Sequence, residues 1–238
     1  MSWYKDWFNS KYYHILYRDR NDLEARKFIT KLKIFINSND KIIDIGCGKG
    51  RHSIFLNNLG FNVTGIDISN NNIIEAKRFE KNDLKFNVWD MRDVYKKNTF
   101  NVALNLFTSF GYFDKHTDNI RTIKAIHSNL KKNGILIIDF LNSKKVLSNL
   151  ITNEEKKING INFIINRYHN DGFIYKNIKF QDNKKNYNFT EKVQNLNLFE
   201  FKSILNLCEM KILNTFGNYE LDPFNEKNSD RLIIVAKK

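Results

Sequence analysis

The stretch Lys41-Ile-Ile-Asp-Ile-Gly-Cys-Gly-Lys-Gly50 decides the fold, because it joins a short apolar run to three glycines at every second position. The apolar run, Lys41–Ile45, predicts a buried strand. The glycines predict a sharp turn that leaves room for a ligand to touch the main chain at a helix N-terminus. The apolar residues within 54–59 then predict a helix that ends before Gly60. Several nucleotide-binding folds share such a unit, and a plain tight turn would also explain it.

Strands and helices alternate on both sides of this unit. Asp22 is a plausible N-cap of an amphipathic helix that runs to about Asn39, and Ser69 can cap a further helix. The other strands predicted in this half cover 61–66, 84–88, 101–105 and 134–139, and a third helix covers 120–130. Such alternation requires βαβ crossovers, and it therefore predicts an α/β fold with a doubly wound, mostly parallel sheet.

The pattern changes after about Lys144. Three strands without intervening helices are predicted at 161–168, 173–180 and 187–193, and Asn170-Asp-Gly172 and Asp182-Asn-Lys-Lys185 are typical of hairpin turns. A helix over 198–208 and strands at 210–216 and 231–236 follow. We therefore expect one domain over 1–238. Its parts are an N-terminal aromatic segment and helix (1–39), a core (40–144), a small antiparallel β insertion (145–195) and a closing helix and hairpin (196–238).

The composition limits the class of protein. The chain has 238 residues, of which 42% are hydrophobic, enough for a sizeable core. No apolar run approaches the ~18 residues of a membrane span, and the first residues lack the apolar stretch of a secretory signal. Two cysteines, Cys47 and Cys208, cannot by themselves form a disulfide framework or a zinc cluster. We expect a soluble, cytoplasmic protein without a metal site.

The net charge of +13 has two interpretations. It could mark a surface for nucleic acid or an anionic membrane. It could also reflect a composition rich in Lys, Asn and Ile, which share A/T-rich codons. The lysines are dispersed and no five like charges are consecutive, which favours the second interpretation.

Polar residues follow four consecutive strands of the predicted sheet. Asp44, Asp67, Asp90 and Asn105 each stand at or just after the carboxyl end of a strand. Because ligands of open α/β sheets bind at that edge, we expect these residues to converge on one site. Asp67 has the spacing from the glycines expected of a ribose-binding acid, and Arg51 breaks the dinucleotide pattern G-x-G-x-x-G.

With these residues in place, the sequence resembles the class I S-adenosylmethionine-dependent methyltransferases, closely over 40–142. The antiparallel insertion is similar to that of the glycine and aminosugar N-methyltransferases. The resemblance implies a Rossmann-like seven-stranded sheet with an antiparallel last strand, S-adenosyl-L-methionine as cofactor, and in-line methyl transfer to N or O of a small molecule. It implies a cofactor site made of Asp44, Gly46, Cys47, Gly48, Gly50 and Arg51, the pair Asp67 and Ile68, the pair Asp90 and Met91, and the run Asn105, Leu106 and Phe107.

The catalytic residues stay unknown at this level. Weak candidates for contact with the cofactor tail or acceptor are Tyr13, His14, Tyr17, Asp139 and Asn142. Packing would explain the two tyrosines equally well, His14 is more typical of a packed or surface histidine, and a cap or turn would explain Asp139 and Asn142. His52, His116, His127 and His169 are more typical of packed or surface histidines. Phe107, Phe110 and Tyr112 could line a dry pocket, and Arg167, Tyr168 and Tyr175 are weaker candidates for substrate contact.

Three alternatives to a small-molecule methyltransferase remain. An RNA or DNA methyltransferase would explain the charge, but the fourth strand ends in Asn105-Leu-Phe-Thr without the Asn-Pro-Pro signature, and no RNA-binding module is appended. The second is a Rossmann-type NAD oxidoreductase, and the third is a cofactor-binding protein without turnover. We expect a small-molecule acceptor, disfavour nucleic acid, exclude membrane attachment, and expect a monomer or homodimer.

Overall fold

The computed structural model describes residues 3–18 and 22–238. The helices are α1 (Trp3–Phe8), α2 (Lys11–Leu16), α3 (Asp22–Leu32), α4 (Arg51–Asn58), α5 (Asn70–Lys77), α6 (His116–Asn129), α7 (Ser143–Ser148) and α8 (Leu198–Leu207). The strands are β1 (Lys41–Ile45), β2 (Asn62–Asp67), β3 (Leu84–Val88), β4 (Phe100–Asn105), β5 (Leu130–Leu141), β6 (Asn153–Ile158), β7 (Ile161–Asn170), β8 (Phe173–Asp182), β9 (Lys185–Gln194), β10 (Lys211–Phe216) and β11 (Arg231–Lys237).

Seven strands form the main sheet in the order β10-β11-β5-β4-β1-β2-β3. β1 to β5 pair in parallel, and β11 lies antiparallel between β5 and β10. The predicted fold class is therefore confirmed, including the antiparallel last strand. β1 is central, with Asp44 opposite Gly65 on one side and Leu104 on the other. This pairing places the carboxyl ends of β1, β2 and β4 side by side.

Two hydrophobic cores cover the two faces of this sheet. Successive residues of a strand point to opposite faces, so Ile42 and Ile43 of β1 belong to different cores. Ile42 lies in the core with α3, α4 and α5, whereas Ile43 lies in the core with α6 and α8. Both side chains are fully buried, and burial of one isoleucine contributes about 1.5–3 kcal/mol.

A second sheet, β6-β7-β8-β9, is antiparallel throughout and forms the predicted insertion. Its two predicted hairpin turns have positive φ at both central residues, Asp171 with Gly172 and Asn183 with Lys184, as type I′ turns require. The edge strand β6 and the helix α7 were not predicted. The sequence of β6, Asn153–Ile158, carries four charges and one apolar residue, so it has no strand periodicity.

The N-terminal helices α1 and α2 pack on the insertion. Trp7 and Tyr12 share a third hydrophobic core with Phe163 and Phe180 of the second sheet. The aromatic residues of the N-terminal segment therefore pack on the insertion. No helix in the described part of the chain is long and apolar enough to cross a membrane.

Helix α3 differs from its prediction at both ends. Asp22 is its first helical residue rather than its cap, and the helix stops at Leu32 and passes into a 3₁₀ turn over Lys33–Phe35. The chain then turns toward β1, and Asp40 Oδ2 accepts the N–H of Asn37 at 2.7 Å. This side-chain bond replaces the helical continuation to Asn39, because Asp and Asn compete for main-chain groups.

Candidate cofactor and acceptor site

A cavity of about 420 Å³ lies at the carboxyl edge of the main sheet. Most residues of the predicted cofactor set line it, namely Asp44, Gly46, Cys47, Gly48, Arg51, Asp67, Ile68, Asp90, Met91, Leu106 and Phe107. Tyr13, His14, Tyr17 and Tyr112 also line it. The remaining lining residues are Phe8, Arg18, Lys49, His52, Asn72, Trp89, Ser109 and Phe113, most of which no motif pointed to. The structure thus brings together residues from six separate stretches of the chain.

The glycine turn leaves its main chain open to the cavity at Gly48. Gly48 has φ +57, and a Cβ added there would meet no atom within 4 Å. A side chain at this position would therefore be strained by its φ and would fill space above the main chain. Gly50 serves packing instead, since a Cβ there would lie 2.6 Å from the ring of Phe86, and Gly50 is absent from the cavity wall.

Asp67 ends β2 with both carboxylate oxygens held by main-chain donors. Oδ2 accepts the N–H of Gly48 and Oδ1 accepts the N–H of Ser69, each at 2.8 Å. Burial raises the pKa of Asp67, although these two hydrogen bonds act in the opposite direction. A carboxylate oxygen has two lone pairs, so each oxygen can accept a second hydrogen bond from a ligand hydroxyl.

Asp44 ends β1 beside Asp67 and is also buried. Its Oδ2 accepts a hydrogen bond from Ser53 Oγ of α4 at 2.6 Å. Burial raises the pKa of Asp44 to about 6, and the neighbouring charge of Asp67 adds to this effect. A cationic group of a ligand beside this carboxylate would stabilise its ionised form.

Asp90 follows β3 and is fixed by Arg92. The guanidinium Nε lies 3.0 Å from Oδ1, and Nη2 lies 2.6 Å from Oδ2. Burial acts to raise the pKa of Asp90, but the hydrogen bonds and charge of Arg92 outweigh it and lower the pKa. Asp90 therefore stays ionised at neutral pH, with its orientation set by a bidentate contact.

Asn105 and Asn142, two predicted site residues at strand ends, do not line the cavity, and the side chain of each is hydrogen bonded elsewhere. Asn105 is fully buried and donates from Nδ2 to the main-chain oxygen of Ile45 at 3.0 Å, so it ties β4 to β1. Asn142 donates from Nδ2 to the main-chain oxygens of Glu226 and Ser229 at 2.9 and 2.8 Å. Asn142 is therefore tied to the segment 226–229 and does not line the cavity.

Asp139 also departs from its prediction. It is fully buried, pairs with Arg231 at 2.7 Å and does not line the cavity. Its side chain points to the loop that carries Phe107, because Oδ2 accepts the Phe107 N–H at 2.9 Å. Asp139 thus lies behind the cavity wall and cannot touch an acceptor inside it.

Residues of the N-terminal segment form part of the cavity wall. Tyr17 contributes its ring to the cavity, and its hydroxyl is hydrogen bonded to Glu191 at 2.6 Å and to Lys176 Nζ at 2.5 Å. Trp7 Nε1 donates to the same Glu191 oxygen at 2.7 Å. The charged pair on β8 and β9 therefore fixes this wall to the insertion sheet.

The two histidines in the cavity wall are neutral at pH 7. Burial lowers the pKa of His14, and the charge of Lys49 lowers it further. Burial and the charge of Arg51 lower the pKa of His52 to about 3. Within the described part of the chain, His52 Nε2 is buried without a hydrogen-bond partner. A histidine with so low a pKa is a weak proton acceptor.

The other candidates of the sequence lie outside the cavity wall. These are His116, His127, His169, Phe110, Arg167, Tyr168 and Tyr175. Phe110 is fully buried and packs against Phe201 of α8, with ring centroids 5.7 Å apart. Tyr168 and Tyr175 stack on each other at 4.8 Å across β7 and β8.

Known proteins share both the fold and part of the sequence. The solved structure of an S-adenosylmethionine-dependent methyltransferase from Clostridium acetobutylicum superposes with a TM-score of 0.80 at 17% identity, over 95% of each chain. The S-adenosylmethionine-bound amino pentose methyltransferase CalS10 from Micromonospora echinaspora superposes with a TM-score of 0.73 at 14% identity, over 96% of this chain and 97% of that one. At these identities the likeness establishes the fold, which is that of S-adenosylmethionine-dependent methyltransferases.

The sequence comparisons assign the family. The model of the family described as "Methyltransferase domain" matches residues 36–202, and the chain belongs to this family. Over 131 residues, 52% of this chain, it is 32% identical to a ubiquinone biosynthesis O-methyltransferase of Rickettsia typhi, of which 51% is covered. The chain spans about half the length of the curated relatives it matches.

Proposed function

We propose that the protein transfers a methyl group from S-adenosyl-L-methionine to a nitrogen or oxygen atom of a small molecule. The observation that supports this proposal is the row of carboxylates, Asp44, Asp67 and Asp90, around the open main chain of Gly48 in one cavity. Family membership and the fold agree with it. The proposal keeps the division of the chain into a core over 40–144 and an insertion over 145–195 that covers the acceptor.

The residues of the cavity fit the proposed cofactor. Asp67 retains lone pairs for two ribose hydroxyls, and Gly48 leaves the space that an adenosine needs above the main chain. Asp90 would accept from the adenine amino group, with Ile68 and Met91 against the ring. When bound, S-adenosylmethionine would supply a methyl group on a sulfonium, and the neutral thioether S-adenosylhomocysteine would be the leaving group.

The other end of the cavity suits the amino-acid tail of the cofactor. Asp44 would pair with its ammonium group, and Arg51 would face its carboxylate. Arg51 is already oriented, because its guanidinium lies 4.7 Å from the centroid of Phe107. These residues bind and orient, and orientation alone can supply much of the acceleration of an in-line displacement.

The acceptor would lie against the aromatic wall made by Phe8, Tyr13, Tyr17 and Tyr112. This wall presents aromatic rings, whose faces attract a cation such as a sulfonium. Since His14 and His52 are neutral with lowered pKa values, neither is suited to remove a proton from a weakly acidic acceptor. We therefore infer an acceptor atom that attacks without a strong base in the protein.

Calorimetric titration with S-adenosylhomocysteine tests the cofactor assignment. We expect saturable binding by the wild-type protein, and Asp67→Ala should weaken it by about 1.5–3 kcal/mol, the range for hydrogen bonds to charged groups. The matched control is Asp83→Ala, because Asp83 is an exposed carboxylate outside the cavity. Unchanged affinity in folded Asp67→Ala, or thermal stabilisation by NAD instead of S-adenosylhomocysteine, would contradict the assignment.

Transfer of labelled methyl groups tests the acceptor class. We expect label in small amines or hydroxyl compounds and none in bulk tRNA, because the lysines are dispersed along the chain and no five like charges are consecutive. Labelled tRNA with a steep dependence on salt would favour the RNA alternative. Cofactor binding without transfer to any acceptor of a broad metabolite panel would favour a binding protein.

A further inference from the structure

Asp139 is a buried carboxylate that hydrogen bonds to groups next to the cavity wall. Its Oδ1 accepts from Arg231 Nε at 2.7 Å, and its Oδ2 accepts the Phe107 N–H at 2.9 Å and the Tyr219 hydroxyl at 3.3 Å. Its main-chain oxygen accepts the N–H of Thr108 at 3.0 Å. The side chain is fully buried, so these donors replace the water that would otherwise solvate the carboxylate.

The turn that receives these hydrogen bonds is strained. Phe107 and Thr108 follow β4 and have φ of +56 and +60. Left-handed backbone is disfavoured for a bulky residue and more so for a β-branched one. Two such residues in succession persist only where the surrounding structure enforces them. Asp139 binds the N–H of both, and Arg231 Nη2 also donates to Thr108 Oγ1 at 2.8 Å.

The same turn forms part of the cavity wall. The ring of Phe107 stacks on Tyr219 with centroids 5.4 Å apart, and it lies 5.0 Å from the ring of His52. The guanidinium of Arg51 lies 4.7 Å from the same ring. Phe107, Arg51 and His52 all line the cavity, so a shift of the turn would move three of its side chains.

We propose that Asp139, together with Arg231 and Tyr219, is a positioning residue for cofactor binding. It holds the Phe107–Thr108 turn in its left-handed conformation and so sets where Phe107 and Arg51 face the amino-acid end of the cofactor. It acts entirely through these groups and touches no ligand itself. This inference rests on the proposed function, because it assigns the purpose of the turn to the same site.

The test is a double-mutant cycle read out by the affinity for S-adenosylhomocysteine. Asp139→Asn offers one acceptor oxygen where two are used, and we expect it to weaken binding about tenfold. Glycine adopts positive φ freely, so Thr108→Gly relieves the strain at one of the two residues and makes the turn less dependent on the carboxylate, while it also removes the Oγ1 acceptor of Arg231. Thr108→Gly alone should stay within about twofold of wild type, and in the Asp139→Asn background it should recover about threefold or more of the lost affinity.

A loss of global stability would not produce this recovery. The control is Asp40→Asn, because Asp40 is a buried carboxylate that holds a main-chain N–H outside the cavity. We expect this variant to lower the melting temperature without changing the affinity. Wild-type affinity in folded Asp139→Asn, or no recovery by Thr108→Gly, would overturn the proposal.

Two further outcomes are separable. If Asp139→Asn does not fold, Tyr219→Phe removes the 3.3 Å hydrogen bond to Asp139 and keeps the ring that stacks on Phe107, and we expect it to weaken binding about two- to threefold. Unchanged affinity in Tyr219→Phe would then overturn the positioning role. A wild-type protein that does not bind S-adenosylhomocysteine would instead refute the proposed cofactor, and the positioning role with it.

Discussion

Acidification should weaken cofactor binding through the buried carboxylate of Asp44. Asp44 is buried at the end of β1, and burial raises its pKa to about 6 despite the hydrogen bond from Ser53. At pH 7 most of the protein therefore carries a charged Asp44, whereas at pH 5 about one tenth does. Only the charged form attracts the ammonium group that we place beside it.

The expected magnitude follows from this pKa. If the ammonium group of S-adenosylhomocysteine keeps Asp44 ionised, the dissociation constant should rise about tenfold between pH 7 and pH 5, or about 1.4 kcal/mol. The free protein should respond in the opposite direction. Because the folded-state pKa is raised above the unfolded value of 3.8, the folded state binds the extra proton, so stability falls as pH rises from about 4 to about 6.

Calorimetry at half-unit pH steps measures the dissociation constant directly. Asp44→Asn keeps an oxygen for the Ser53 hydroxyl but cannot ionise, so its affinity should be low and nearly independent of pH over this range. Asp83→Asn, on the exposed surface, should follow the wild-type profile. A flat wild-type profile, or an equal slope in wild type and Asp44→Asn, would refute this assignment of the ammonium site.

Two further predictions concern the glycine turn and the N-terminal helices. Gly48→Ala places a Cβ at φ +57, so urea unfolding should show a loss of about 1–2 kcal/mol of stability, and calorimetry should show a weaker affinity for S-adenosylhomocysteine. An affinity equal to wild type would show that no ligand lies over Gly48. Trp7→Ala removes a fully buried ring and its hydrogen bond to Glu191, so we expect the free energy of unfolding to fall by about 3–5 kcal/mol and hydrogen exchange to become faster in β7 to β9. An equal rise of exchange in β1 would contradict the separation of this hydrophobic core from the main sheet.

The sequence predicted the aspartates that line the cavity better than the buried contacts of Asp139 outside the cavity wall. Asp44 and Asp67 were found because the carboxyl ends of neighbouring parallel strands converge whatever the side chains do. Asp139 lies near the carboxyl end of β5 at the same edge, but its partner Arg231 is 92 positions away on β11. The partner of the Asp139 carboxylate depends on how β11 pairs with β5, and the periodicity along β5 alone does not predict that pairing.

The N-terminal wall shows the same limit. Its aromatic residues were conspicuous, but nothing local indicates that Trp7 meets Phe189 at 4.7 Å or that both Trp7 and Tyr17 bind Glu191. These partners lie more than 170 positions away in strands whose own pattern predicts only a half-buried sheet. A helix of six residues has little independent stability, so α1 takes its place from these contacts and not from its own sequence.

The cavity wall carries equal numbers of acidic and basic side chains, whereas the whole chain is strongly basic. The protein carries +13, yet three aspartates and three cationic side chains line the cavity, the latter being Arg18, Lys49 and Arg51. The carboxylates stand at or near strand ends, whereas Arg18 follows α2, Lys49 lies in the glycine turn and Arg51 begins α4. Surface charges beyond about 8–10 Å are largely screened at physiological ionic strength. A ligand with an ammonium and a carboxylate at opposite sides of one carbon therefore meets a matched local pair, whatever the dispersed lysines contribute outside.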